Sequence, residues 1–142
     1  MSASHRFDDH TAEVELTIQA DSLPEVYAQA ARAYAELLLG GMLPALPAPR
    51  PPVLVTVRAA DLTALLVDWL NELVYRTETE ATVFTDVSAL RLREGPDGPE
   101  IAAELRGLPD PQLALEVKAA TLHDAYVRPV AGGFVGHAIL DV

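Results

Sequence analysis

Residues 12 to 19 alternate strictly, with Val14, Leu16 and Ile18 on one face and Glu13, Glu15, Thr17 and Gln19 on the other. That is the period-two pattern of a strand with one side against a core, and it puts Glu13 on the polar side. Ser22-Leu23-Pro24-Glu25 follows and reads as a helix start. A Ser hydroxyl and a Glu carboxylate three residues apart can satisfy unpaired N–H groups reciprocally, and Pro fits the first turn. The predicted helix runs to about Leu39 and stops at Gly40-Gly41, with Val26, Ala30, Ala31, Tyr34, Leu37 and Leu38 as its apolar side.

Five prolines fall within residues 44–52; they can neither continue a helix nor pair as a central strand, so this stretch predicts a stiff, extended connector. A short β-rich run, Val53–Arg58, precedes a second helix that Asp61 can cap. Leu62, Leu65, Leu66, Trp69, Leu70, Leu73 and Val74 step by three and four residues. This stripe predicts burial for Leu66, Trp69, Leu70 and Leu73, and exposure for Asp68, Asn71 and Glu72. From Ala81 onward the pattern changes to short strands, near 83–94, 100–106, 113–121, 123–129 and 134–141, joined by turn chemistry at 95–99, 108–111 and 132–133. Two amphipathic helices cannot cover both faces of a sheet of six or seven strands. The pattern therefore predicts one α+β domain over residues 1–142, a mixed or antiparallel β-sheet with both helices packed on one face.

The chain has 142 residues and 50% hydrophobic content, enough to bury a core without a disulfide or a structural metal. With no Cys, thiol catalysis, thiolate zinc sites and iron–sulfur clusters are excluded. Ten Lys and Arg against 21 Asp and Glu give a formal net charge of −11, a field that repels phosphate backbones, so direct nucleic-acid binding is not expected. Residues 1–9 lack the apolar core of a signal peptide, and no apolar run reaches membrane-spanning length. A cytoplasmic protein is the expectation. Nine of the ten basic residues are Arg, leaving Lys118 as the only compact ammonium.

Three places carry candidate chemistry. Asp8-Asp9-His10-Thr11-Ala12-Glu13 concentrates hard oxygen ligands just ahead of a strand, although acidic residues there are commonly just solvated. The chain ends Asp141-Val142, which brings a side-chain carboxylate and the terminal carboxylate together; a third such as Glu13 would complete a site for Ca²⁺, Mg²⁺ or Mn²⁺. Lys118 and His123 flank a predicted strand turn, where a His beside Asp124 is either a proton carrier or an ordinary surface hydrogen-bonding residue. No phosphate-cradling glycine loop, nucleophile elbow or His-Glu-x-x-His stretch is present.

Taken in order, Asp9-His10-Thr11-Ala12-Glu13, Ala60-Asp61-Leu62 through Trp69-Leu70-Asn71-Glu72-Leu73, Lys118-Ala119-Ala120-Thr121-Leu122-His123 and Ile139-Leu140-Asp141-Val142 resemble the archease family over essentially the whole chain. The resemblance implies the archease fold and a role as accessory activator of an RNA-splicing ligase of the RtcB type, in tRNA splicing and RNA repair. It implies promotion of guanylyl transfer to the ligase's own histidine, and multiple turnover. It further implies a divalent-metal site, with Ca²⁺ as the first expectation, at Glu13, Asp141 and the Val142 carboxylate, with Asp9, His10, Lys118, Thr121 and His123 as activation or partner-facing positions. Archeases usually carry Asp where this chain has Glu13 and Tyr where it has Leu122; the extra methylene of Glu13 changes metal geometry or denticity. The protein would then be a cofactor of an enzyme and not itself an enzyme. Two other readings remain at this point, a stand-alone metal-dependent hydrolase and a general protein-binding chaperone module. Ligation assays with each component omitted separate the three.

Overall fold

The computed structural model describes residues 2–46 and 50–142, the side chain of His10 excepted. Nine elements follow in the order β1 (Ala3–His10), β2 (Glu13–Ala20), α1 (Leu23–Leu39), β3 (Val53–Arg58), α2 (Leu62–Glu80), β4 (Thr82–Gly95), β5 (Gly98–Pro109), β6 (Ala119–Val130) and β7 (Gly133–Asp141). The fold is α+β and antiparallel throughout its strand pairings, but the strands divide into two sheets. One has four strands in the order β1-β2-β7-β6 and the other three in the order β3-β5-β4. The division has a local cause in the connections: tight hairpins join β1 to β2, β4 to β5 and β6 to β7, α1 carries the chain from the four-stranded sheet to the three-stranded one, α2 links β3 to β4 within the latter, and the connector over 110–118 returns the chain to β6.

The alternation of β2 is realised, with Val14, Leu16 and Ile18 buried and Glu13 exposed. Ahead of it, residues 3–10 form a strand that the alternation did not announce. Both helices share a single core with the inner faces of the two sheets. α1 packs mainly on β4 and also meets β1, β2 and β7, while α2 packs mainly on β6 and reaches β3, β4, β5 and β7. Leu65, Leu66, Trp69, Leu70 and Leu73 are fully enclosed, as the stripe requires. Trp69 donates its indole N–H to the Tyr27 carbonyl at 2.9 Å, and the Tyr27 hydroxyl donates to the Leu62 carbonyl at 2.6 Å. The two helices are thereby linked in both directions.

The caps divide. Asp61 accepts the Ala64 N–H at 2.8 Å, as a capping residue should. Ser22 occupies the cap position of α1 in extended geometry but makes no side-chain capping bond, so the reciprocal arrangement with Glu25 is not formed. Gly40 ends α1 at φ 79°, a left-handed conformation that glycine adopts without strain.

Three further expectations change. Asn71 and Glu72 are half-buried instead of exposed, while Asp68 is exposed. The strand expected at 113–121 does not exist over 111–118; that segment is a connector, with the Ala114 N–H donating to the Leu38 carbonyl at 2.7 Å and Val117 buried. The turn expected between 121 and 123 is a register break within the continuous strand β6, between Thr121 and Tyr126. The proline-rich connector lies in part outside the described residues, at 47–49, and its described flanks at 44–46 and 50–52 are neither helix nor strand.

Candidate functional site

One end of the four-stranded sheet gathers most of the residues singled out by the sequence. β1 and β2 are joined by a two-residue turn, Thr11-Ala12, in which Ala12 takes φ 63°. The turn sets His10 opposite Glu13, and the next ladder sets Glu13 opposite Asp141. Ala119, at the start of β6, pairs with Asp141 from the other side. Directly opposed residues in an antiparallel pair have Cβ atoms about 4.5–5.5 Å apart, so Glu13 and Asp141 carry their carboxylates on adjacent stems. Val14 and Leu140 are buried on the inner face, which sends both carboxylates to the outer face of the sheet.

The chain terminus is drawn into the same place. The Val142 N–H donates to the Ala12 carbonyl at 3.1 Å, and the Val142 side chain packs partly against the core. The terminal carboxylate is therefore held beside the hairpin that carries Glu13. Lys118 lies just before β6, exposed, with its N–H donating to the Asp141 carbonyl at 2.8 Å. Its backbone is fixed at the cluster while its ammonium is free to reach outward.

Thr121 sits one row further along the outer face, opposite Ile139. Its hydroxyl oxygen accepts the His123 N–H at 3.2 Å, and the His123 ring contacts the exposed Asp124 carboxylate at 3.2 Å. His123 thus lies on the surface, on the broken part of β6, with its ring beside the Asp124 carboxylate. Asp9 is exposed and pairs in register with Val14, on the opposite side of the strand from His10. The His10 backbone closes the hairpin; its side chain lies outside the described residues.

The donor set is chemically suited to a hard divalent cation, because Glu13, Asp141 and the terminal carboxylate are all oxygen anions. Among the described residues no three His, Asp or Glu side chains are grouped closely enough to hold a metal by themselves, so the terminus is the donor that would complete the set. The cluster is also open. Two surface grooves of about 570 Å³ each lie elsewhere, one bordered by Asp61, Thr63, Glu94 and Val127, the other by Arg6, Thr17, Tyr126 and Arg128.

One residue of this face went unread in the sequence. His137 of β7 is 8% exposed and its ring lies between Glu15 and the Asp124 carbonyl. The alternation of Val135, His137 and Ile139 could have placed it on the face of Glu15, since each is one strand from the other.

These features define a small acidic α+β domain in which the start of β2 and the chain end lie side by side, with Glu13 opposite Asp141. The Archease protein family (MTH1598/TM1083) matches residues 5–142, and the chain belongs to the archease family. It is 31% identical over 140 residues to the protein archease of Archaeoglobus fulgidus, covering 97% of this chain and 98% of the relative. It is 30% identical over 138 residues to that of Methanopyrus kandleri, covering 94% and 96%. The solution structure of Methanobacterium thermoautotrophicum protein 1598 superposes with a TM-score of 0.81 at 27% identity, over 97% of this chain and 98% of that one. The crystal structure of an archease from Thermotoga maritima, described as a possible chaperone, superposes with a TM-score of 0.59 at 14% identity and shares the fold. No helix among the described residues is long and apolar enough to cross a membrane.

Proposed function

We propose that this protein is an accessory activator of an RNA-splicing ligase of the RtcB type, acting by contact with the ligase and not with RNA. The observation that carries the reading is the opposition of Glu13 and Asp141 beside the anchored chain terminus, on an open face with Lys118 at its margin. Membership of the archease family supports it, as does the description of the Thermotoga maritima relative as a possible chaperone, a role that also consists of touching another protein. A net charge of −11 disfavours RNA as the direct partner.

Glu13, Asp141 and the Val142 carboxylate would hold a divalent cation, Ca²⁺ first and Mg²⁺ or Mn²⁺ as alternatives. Such a cation, once bound, supplies a positive centre that can draw in phosphate or carboxylate oxygens of the partner. The chain's own part is positional. The β2/β7 register fixes the spacing of the two carboxylates, the Val142 to Ala12 bond fixes the terminus, and Lys118 offers a compact cation to anionic groups at the ligase site. The protein is not consumed and is not itself the enzyme. Among the described residues the Glu13 and Asp141 pair lies on an open face and not in an enclosed pocket, so the hydrolase reading receives no support from its geometry. The expected compartment is the cytoplasm.

Single-turnover guanylylation of a partner ligase tests this. Wild-type protein should accelerate the step, and Asp141→Ala, which removes an exposed-face carboxylate and little packing, should lose most of the acceleration while melting normally. Full stimulation by a folded Asp141→Ala protein would rule out the carboxylate mechanism.

A further inference from the structure

His137 is the one buried side chain of polar type among the described residues. It stands on the outer face of the four-stranded sheet, opposite Thr17 of β2 and Tyr126 of β6. Its Nδ1 meets the Asp124 carbonyl oxygen at 2.8 Å and its Nε2 meets Glu15 Oε1 at 3.1 Å. A carbonyl and an ionised carboxylate accept hydrogen bonds and donate none, whereas a neutral imidazole has a single N–H. One of the two contacts would then set lone pair against lone pair. Both are satisfied when the ring carries a proton on each nitrogen, and imidazole holds a proton more tightly than a carboxyl group does.

Asp124 is not an ordinary strand residue. It takes φ 56° inside the register break that runs from Thr121 to Tyr126, where regular pairing with β7 is interrupted. The ring of His137 spans that gap and ties the broken segment back to β7 and β2. The segment it ties presents Thr121, the 62% exposed Leu122 and His123.

We infer that His137 is a positioning residue whose ring, clamped between Glu15 and the Asp124 carbonyl, holds the broken segment of β6 in the shape that presents Thr121, Leu122 and His123. The remaining groups facing the ring leave the clamp intact. Tyr126 stacks on the imidazole with centroids 5.1 Å apart and planes 13° off parallel. The Arg128 guanidinium lies over Tyr126 at 4.1 Å. From β1, Arg6 and Asp8 stand one strand beyond Thr17 and Glu15 and pair with each other at 3.1 Å. The Asp124 carboxylate is turned to His123. The two contacts of the ring are therefore what links the broken segment to β2. The use of this segment in partner contact rests on the activator reading; the clamp rests on the hydrogen bonds alone.

Amide hydrogen exchange of the full chain at a single pH reads the clamp directly. In Glu15→Ala, which removes one of the ring's two partners, protection of residues 121–126 should fall about tenfold against wild type, the scale of one lost charge-assisted hydrogen bond. In Glu15→Gln the side-chain amide can still meet Nε2 as donor or acceptor, so most of the protection should be retained. Unchanged protection of residues 121–126 in Glu15→Ala, or an equal loss in Glu15→Gln, would overturn the inference. None of these readouts uses a ligase, so failure of the activator reading is told apart from failure of the clamp.

Discussion

Asn71 of α2 grips Ala120 of β6 with both ends of its side-chain amide: Nδ2 donates to the Ala120 carbonyl at 3.0 Å, and Oδ1 accepts the Ala120 N–H at 2.8 Å. A neighbouring strand would offer the same donor and acceptor pair. β6 is the last strand of its sheet, so the helix supplies the partner that the edge lacks, one residue from the Ala119 that pairs with Asp141.

Asn71→Leu keeps a similar volume but leaves both Ala120 groups unpaired, and should lower stability by about 2 kcal/mol. Asn71→Asp keeps the acceptor and turns a second oxygen toward the Ala120 carbonyl, so it should also destabilise. Denaturant unfolding of the three proteins is the measurement; equal midpoints would mean that the paired amide contributes nothing.

Trp69 is wholly enclosed and bonded to the Tyr27 carbonyl. Trp69→Ala should cost about 3–5 kcal/mol through cavity formation, a large part of an ordinary domain's stability. Trp69→Phe retains most of the ring surface and loses the indole donor, and should cost clearly less. A Trp69→Ala protein with near wild-type stability would contradict the placement of the ring in the core.

The two helices were legible because each signal was local. The Leu and Trp stripe of α2 repeats at one helix's own period, and Asp61 caps within its own turn. β1 was not legible. Its inward positions, Ala3, His5 and Phe7, are only half-buried, so apolar alternation there is weak, and His5 spends its ring on Gln29 and Glu36 of α1. Leu113, Leu115 and Val117 alternate like a strand, yet the segment lies as a connector whose Ala114 bonds to the end of α1. Alternation reports one-sided burial, and a loop laid across a helix end produces it as well. For the site, the carboxylates were readable as chemistry and through the family resemblance. The register that opposes residues 13 and 141 depends on strand order, which no local pattern encodes, and the contact between Glu15 and His137 depends on that same register.

Alkaline pH offers a separate handle on the core. Burial pushes the Tyr34 phenol up to about 12, with the Thr77 hydrogen bond opposing and the Glu78 charge adding to the shift. Burial raises Tyr27 further still, helped by the negative charges of Glu94 and Asp61. In the unfolded chain a tyrosine ionises near 10. Above that pH the unfolded state sheds protons that the folded state keeps, so unfolding becomes more favourable as pH rises. Stability should be level with respect to these groups below about pH 10 and decline toward pH 12. Tyr34→Phe should shallow that decline, read as denaturation midpoints at successive pH values; an identical slope in the variant would remove Tyr34 from the alkaline transition.

The C-terminus gives the sharpest test of the carboxylate cluster, because its contribution can be removed without altering any side chain. A Gly-Ser extension after Val142 converts the terminal carboxylate into a neutral amide and moves the charge away. Packing of the Val142 side chain and its N–H bond to the Ala12 carbonyl can persist. If Glu13, Asp141 and the terminus act as one donor set, calorimetric Ca²⁺ affinity should fall at least about tenfold on extension, since one anionic oxygen ligand is lost and affinity at such sites follows ligand charge. Asp141→Asn should weaken binding by a similar factor, and the two changes combined should lose less than the product of the separate effects if both donors serve the same ion. Circular dichroism melts of all three proteins exclude unfolding as the cause. Unchanged affinity in the extended protein would take Val142 out of the site, and unchanged affinity in Asp141→Asn as well would leave the cluster an arrangement of solvated charges.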